Sequence, residues 1–150
     1  MTFSQFKIEM DIVRDRRRAM RSILRDLSTL SDDRLSALSS GAVDYSKDRL
    51  QKTTDPDAAM INTLDQIDRD TARLKDKLQH LRDLNEYYES LIFAADGIGG
   101  EVGRLYVIEG LTMKIVAQHL HYSPSHCWMK WTKTMHEIHE AEEERTNGST

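Results

Sequence analysis

Histidine and cysteine side chains are the first candidates for chemistry in this sequence. Five of the six histidines and the single cysteine lie close together, at His119, His121, His126, Cys127, His136 and His139. Zinc prefers imidazole and thiolate ligands. However, the spacing matches no zinc motif, and the apolar pattern around Cys127 assigns that residue to a core. We therefore expect no metal and no cofactor, and we interpret the histidines as phosphate contacts or as groups that gain charge below about pH 6.5.

Catalytic chemistry has less support. His80 lies on a predicted helix, as a phosphotransfer histidine would, but Arg82 and Asp83 follow it where such domains usually have Lys and Gly, which favours a surface position. No carboxylate pair and no Ser/His/Asp order indicates acid–base or nucleophilic catalysis. The glycine-rich segment 97–103 follows no predicted strand, so a hinge that ends the preceding helix is favoured over a phosphate-binding loop. The sequence thus predicts that the protein is not an enzyme.

Two short predicted helices joined by a tight turn carry the clearest functional signal. Thr112 is a typical N-cap for a helix that contains the small residue Ala117. After a turn at His121, Ser123 and Pro124 predict the start of the next helix, as its N-cap and first residue. These are the elements of a helix-turn-helix, whose second helix enters the major groove of DNA.

The second helix of this motif has two distinct faces. Cys127, Trp131 and Met135 repeat every four residues and predict its buried underside. On the opposite face, Ser125, His126 and Met129 are expected to face base edges, and Lys130 and Lys133 to contact phosphates. The candidate DNA-binding residues are Thr112, Ser123, Ser125, His126, Met129, Lys130 and Lys133.

The run from Glu109 to Ser123 resembles the region 4 helix-turn-helix of sigma factors. In that family the pattern is E-G-L-T, three residues, I-A, two residues, L, one residue and Y/V-S. Here Val116-Ala117 takes the I-A place and Tyr122-Ser123 the final pair. His121 departs from the family, which often has Gly in the turn, because a left-handed backbone is less comfortable for a residue with a side chain.

With long helices before this module, the whole chain resembles the small phage late-transcription regulators of the ArpU/RinA type. The specific part of the resemblance covers residues 104–138. It implies a sequence-specific regulator of late genes in a bacterial host cell, with double-stranded DNA and RNA polymerase as partners. The pattern of residues is also compatible with an alternative function. In that alternative the protein is a coiled-coil assembly or adaptor protein, or a phage terminase small subunit, and uses its helical modules for oligomerisation and docking.

Two long helices must position this module. The first carries an apolar heptad stripe in which Arg17 takes one position: Phe3, Phe6, Met10, Val13, Met20, Leu24 and Leu27. The second stripe lies on a helix of roughly 60 Å, at Met60, Leu64, Ile67, Thr71, Leu74, Leu78, Leu81, Asn85, Tyr88 and Ile92. A helix of that length needs a partner, which is either the first helix folded back as a hairpin or a second copy in a coiled coil. The polar Asn85 and Thr71 either fix the register or face water.

The sequence therefore predicts an all-α fold with two long heptad helices followed by a C-terminal helix-turn-helix. The predicted segments are a helix over 1–30, a flexible linker over 31–54, a coiled-coil helix over 55–95, the helix-turn-helix domain over 96–145 and a disordered tail over 146–150. The unequal helix lengths favour a homo-oligomer, with a dimer preferred.

The charge distribution is compatible with a DNA-binding module, although the whole chain has a net charge of −4. Residues 1–30 carry seven basic and four acidic side chains, and Gly110–Ile138 carries three basic and one acidic. The arginines of the first helix are interpreted as a solvated face rather than as DNA contacts. A lone cysteine, no apolar run long enough for a membrane span and no signal core predict a cytoplasmic protein.

Overall fold

The computed structural model describes residues 1–44 and 56–148, and within these ranges all regular structure is helical. This confirms the predicted all-α fold. The helices are α1 (Phe3–Asp44), α2 (Pro56–Ala94), α3 (Gly97–Gly103), one π-helical turn (Arg104–Ile108), α4 (Met113–Leu120) and α5 (Pro124–Gly148). None of the described helices is both long and apolar enough to cross a membrane. The chain divides into two compact units, residues 1–19 with 81–150, and residues 20–80.

In the unit formed by residues 20–80, α1 and α2 pair within one chain. Met20, Ile23, Ile67 and Leu78 are buried, and Arg34 Nε lies 3.1 Å from Asp68 Oδ1 across the two helices. Every position of the second heptad stripe that falls in this unit is at least half-buried in the single chain. Of the two partners that the sequence left open, the structure therefore shows the hairpin.

The predicted linker over 31–54 is wrong for residues 31–44, because α1 continues to Asp44, while residues 45–54 lie outside the described part.

The apolar seam of α1 departs from the predicted heptad positions after Met20. Ile23 is 5% exposed, whereas Leu24, which was assigned to the seam, is 47% exposed. From Ile23 the steps of three and four continue to the half-buried Leu30 and Ala37. Packing against α2 outweighs the weak helix propensity of Ser and Asp in this stretch.

The other unit has one core, to which all six helical segments contribute, including Val107 and Ile108 of the π-helical turn. Its buried residues include Phe6, Met10 and Val13 of α1, Ile92 of α2, Val102 of α3, Val116 of α4 and Trp131 of α5. The beginning of α1 and the end of α2 thus complete the hydrophobic core of the helix-turn-helix. The compact units therefore divide the chain differently from the predicted segments.

Asn85 is buried in the unit formed by residues 1–19 and 81–150. Its side chain is 0% exposed. The Nδ2 group donates to the Val13 carbonyl at 3.1 Å, and Oδ1 accepts from Arg16 at 3.5 Å. Asn85 therefore does not face water, and its partners lie in the same chain. A buried amide with specific partners fixes the register of α1 against α2.

The glycine-rich segment is used mainly for close packing rather than as a hinge. A β-carbon on Gly99 would overlap the side chain of Thr134, and one on Gly103 would overlap the ring of Trp131. Both glycines therefore allow α3 to lie directly against α5. Only Gly97, with φ of +74°, has the left-handed backbone that separates α3 from the long helix before it.

The C-terminal residues 146–148 belong to α5. The predicted disordered tail is therefore wrong for these three residues, and the last two residues of the chain lie outside the described part.

Candidate nucleic-acid interface

Both predicted N-caps of the helix-turn-helix are present. Thr112 has extended backbone angles, and its hydroxyl accepts from the Ile115 amide at 3.4 Å. The Ser123 hydroxyl accepts from the His126 amide at 3.1 Å. Each cap satisfies an amide that a helix start leaves without an intrahelical partner. These two hydroxyls therefore define where α4 and α5 begin.

The turn between α4 and α5 uses a left-handed residue. His121 has φ of 60° and ψ of 40°, the conformation for which sigma factors often use Gly. The Tyr122 amide donates to the Ala117 carbonyl at 3.0 Å and closes the end of α4. A histidine thus holds a left-handed backbone, which His adopts more readily than most residues that carry a side chain.

The underside of α5 is buried as predicted. Cys127, Trp131 and Met135 are 0%, 2% and 4% exposed, and Ala117 of α4 is buried beside them. Burial raises the pKa of the Cys127 thiol, so the group stays protonated at neutral pH. A buried thiol is a poor metal ligand because metals bind the thiolate.

The opposite face of α5 presents two of the three predicted base contacts, Ser125 and Met129, to solvent together with the predicted phosphate contact Lys133. Ser125, Met129 and Lys133, one per turn, are all exposed, and Met129 is exposed to 57%. Lys130 is half-buried at the side of this row. His126 is also half-buried, and its ring stacks on Tyr122 with the centroids 4.8 Å apart. We call Ser125, Met129 and Lys133 the outward row.

Arg14 of α1 anchors the segment that leads into α4. Its Nε donates to the Tyr106 carbonyl at 2.9 Å, and its Nη2 lies 3.3 Å from the Gly110 carbonyl and 3.4 Å from that of Leu111. The guanidinium also lies 4.2 Å from the centre of the Tyr106 ring. Carbonyls at a helix end lack intrahelical partners, and a guanidinium can satisfy several of them at once.

Tyr106 in turn contacts the exposed part of α5. Its ring meets the Trp128 ring edge-on, with the centroids 5.1 Å apart. Trp128 remains 44% exposed. The contacts of Arg14, Tyr106 and Trp128 therefore connect α1 to the helix that carries the outward row, and no local pattern in the sequence indicates this connection.

Arg17 makes a second connection of the same kind. Its Nε donates to the Ile108 carbonyl at 3.2 Å, and its Nη1 lies 3.2 Å from Glu89 of α2. Burial raises the pKa of Glu89, and the charge of Arg17 opposes that shift. The interpretation of the α1 arginines as a solvated face is therefore wrong for Arg14 and Arg17, and also for Arg16, which donates to the buried Asn85. The position of Arg17 in an apolar stripe was the signal of a partly buried role.

The paired histidines of α5 hold the beginning of α1. The ring of His136 stacks on Phe3 with the centroids 3.5 Å apart. His139 lies beside Phe6, and its Nε2 is 2.8 Å from the Met1 carbonyl oxygen. In the described part of the chain, no three His, Cys, Asp or Glu side chains are placed together to hold a metal ion. The contacts of these two histidines are with aromatic rings and backbone, and His139 Nε2 also lies 3.5 Å from the Glu143 carboxylate.

When the chain is compared with protein families, curated proteins and solved structures, no significant match is found.

Proposed function

We propose that this protein is a sequence-specific DNA-binding transcriptional regulator that places the helix from Ser123 to Ile138 in the major groove. The observation that carries the proposal is the two-sided α5, which begins at a formed Ser123 cap. Its apolar side is buried in the hydrophobic core, and the outward row is left accessible on one face. This is the arrangement that a recognition helix needs, because the buried face sets its position and the exposed face reads the bases.

The positive charges near the start of α5 support binding to DNA phosphates, and the small number of these charges makes that binding moderate in strength. Lys133 is exposed and Lys130 is partly exposed beside the outward row, and Lys114 is exposed on α4. Further along α5 the exposed Glu137 and Glu140 reverse the sign of the charge. DNA would therefore meet the first half of α5, and a single copy would bind weakly.

The resemblance to sigma region 4 and to the ArpU/RinA regulators extends the proposal. The protein would act on late phage genes in the cytoplasm of a bacterial host, associated with the nucleoid. RNA polymerase would be its second partner. These elements rest on the run from Glu109 to Ser123 and on the long helices before it.

The salt dependence of DNA binding tests the proposal. Replacing Lys130 and Lys133 by Ala should weaken binding to a duplex pool and reduce the slope of log K against log salt by about two, because each phosphate contact contributes about one. The matched control replaces the exposed Lys75 and Lys77 of α2, which changes the net charge equally. An unchanged slope in the first variant, or an equal reduction in both, would contradict the proposed interface.

We further propose that two copies associate, because pairing compensates for weak binding by each copy. The apolar stripe of α2 already packs against α1 of the same chain, so two copies would have to associate through another surface. The hairpin of residues 20–80 exposes four large apolar side chains, Leu24, Leu35, Leu38 and Ile61. Native mass measurement should show a dimer that Leu35→Lys shifts towards monomer. Asn85→Leu should leave the mass unchanged, because the partners of Asn85 lie in its own chain.

The alternative is an adaptor or terminase-like protein whose α5 docks another protein. The exposed apolar side chains of Trp128 and Met129 favour it, since exposed aromatic and Met side chains are enriched at protein interfaces. A full-length chain that binds no duplex at any salt would support this alternative. A ring-sized native mass would support the terminase version of it.

A further inference from the structure

The outward row lacks the side chains that read purines most specifically. Between Pro124 and Glu144, α5 contains no Arg, Asn or Gln. Arg pairs in a bidentate manner with guanine, and Asn and Gln do so with adenine. Lys has a single ammonium group on a flexible stem and lacks the rigid fork of Arg. The helix therefore offers little bidentate reading of purines.

Met129 occupies the centre of the outward row. It lies one turn after Ser125 and one turn before Lys133, and 57% of its side chain is exposed. Ser contacts several bases without strong discrimination, and Lys favours phosphates. The apolar, unbranched Met side chain adapts its shape to a small apolar partner. In the major groove that partner is the C5-methyl group of thymine.

The neighbouring apolar side chain is held away from this role. The ring of Trp128 packs edge-on against Tyr106, which in turn contacts Arg14. Trp128 is therefore fixed at the side of the row, and Met129 is the large apolar group at its centre. The exposed position of Met129 also means that its replacement removes little of the core.

Resting on the proposed function, we propose that Met129 reads a thymine methyl group, so that the DNA site contains a T·A pair opposite the second turn of α5. The contact would select thymine by burial of two apolar groups rather than by a hydrogen bond. Loss of one buried methyl group corresponds to about a fourfold loss of affinity.

Replacement of thymine by uracil tests this contact, because uracil lacks only the methyl group. A duplex site is first selected from a random pool with the full chain, and each thymine is then replaced in turn. Wild type and Met129→Leu should lose about fourfold in affinity at one position. Met129→Ala and Met129→Gln should bind the thymine and uracil duplexes equally. Phe93→Ala, which removes a 60% exposed side chain from α2, is the matched control and should keep the fourfold difference.

The outcomes separate this inference from the proposed function. A wild-type chain that binds its selected site but tolerates uracil at every position overturns the role of Met129 alone. The same conclusion follows if Met129→Ala retains the preference for thymine, or if the selected site contains no T·A pair. A chain that binds no duplex at any salt overturns both proposals.

Discussion

The side chain of Arg14 lies over the ring of Tyr106, 4.2 Å from its centre, while its Nε donates to the Tyr106 carbonyl at 2.9 Å. One residue of α1 thus holds both the backbone and the side chain of the turn that precedes the helix-turn-helix. Because Tyr106 also contacts Trp128, α1 helps to orient α5. The long N-terminal helix is therefore part of the candidate DNA-binding unit and not only a device for association.

Arg14→Ala should lower the free energy of unfolding by about 2 kcal/mol, because hydrogen bonds from a charged donor to helix-end carbonyls are lost. Arg14→Lys should recover only part of this, since an ammonium group cannot reach several carbonyls with fixed geometry. The exposed Arg18 of the same helix provides the control, and its replacement by Ala should change stability by less than about 0.5 kcal/mol. Urea titration measures all three variants. Equal effects of Arg14→Ala and Arg18→Ala would show that the carbonyl contacts contribute nothing.

Gly103→Ala should destabilise the fold by about 2 kcal/mol, because the added methyl group overlaps the buried Trp131 ring and forces α3 away from α5. Gly148→Ala is the matched substitution, since a β-carbon there meets no neighbouring atom, and it should be neutral or slightly stabilising. Thermal unfolding compares the variants, and near-UV circular dichroism reports the tryptophan environment. A Gly103→Ala protein as stable as the wild type would mean that α3 and α5 do not pack closely.

The stability of the protein should depend on pH through Glu89. Burial raises the pKa of this carboxyl above its usual value of 4.5, against the opposing charge of Arg17. The folded state therefore binds the proton more tightly than the unfolded state does. The resulting stabilisation is complete below the usual pKa and is lost as the pH rises through the higher folded value.

Glu89→Gln removes this titration while keeping an acceptor for Arg17. The wild-type free energy of unfolding, minus that of Glu89→Gln, should therefore decrease as the pH rises from below the usual carboxyl pKa through the higher folded pKa. Urea titrations at several pH values give this difference. The contributions of the titratable groups that both proteins share cancel in it. A difference that grows with pH would mean that the Arg17 ion pair outweighs the burial of the carboxyl.

Local features of the helix-turn-helix could be predicted because their causes lie within a few residues. A capping hydroxyl reaches an amide three residues later, so Thr112 and Ser123 are readable directly. A four-residue repeat places Cys127, Trp131 and Met135 on one side of a helix whatever that helix contacts. The alternative explanations for Asn85 could not be separated in this way, because its partner Val13 lies 72 residues away.

The sequence by itself determined where α4 and α5 begin and which face of α5 is apolar, whereas it predicted a hinge for residues 97–103, which form α3. Tertiary structure alone decided that α1 continues beyond residue 30, that Arg14 and Arg17 bind backbone carbonyls, and that Gly103 permits close packing. The physical reason is the distance along the chain over which each kind of interaction acts. Capping and amphipathic spacing act within one or two turns, whereas a seam register, a carbonyl contact or a close helix approach depends on a partner that only folding brings near.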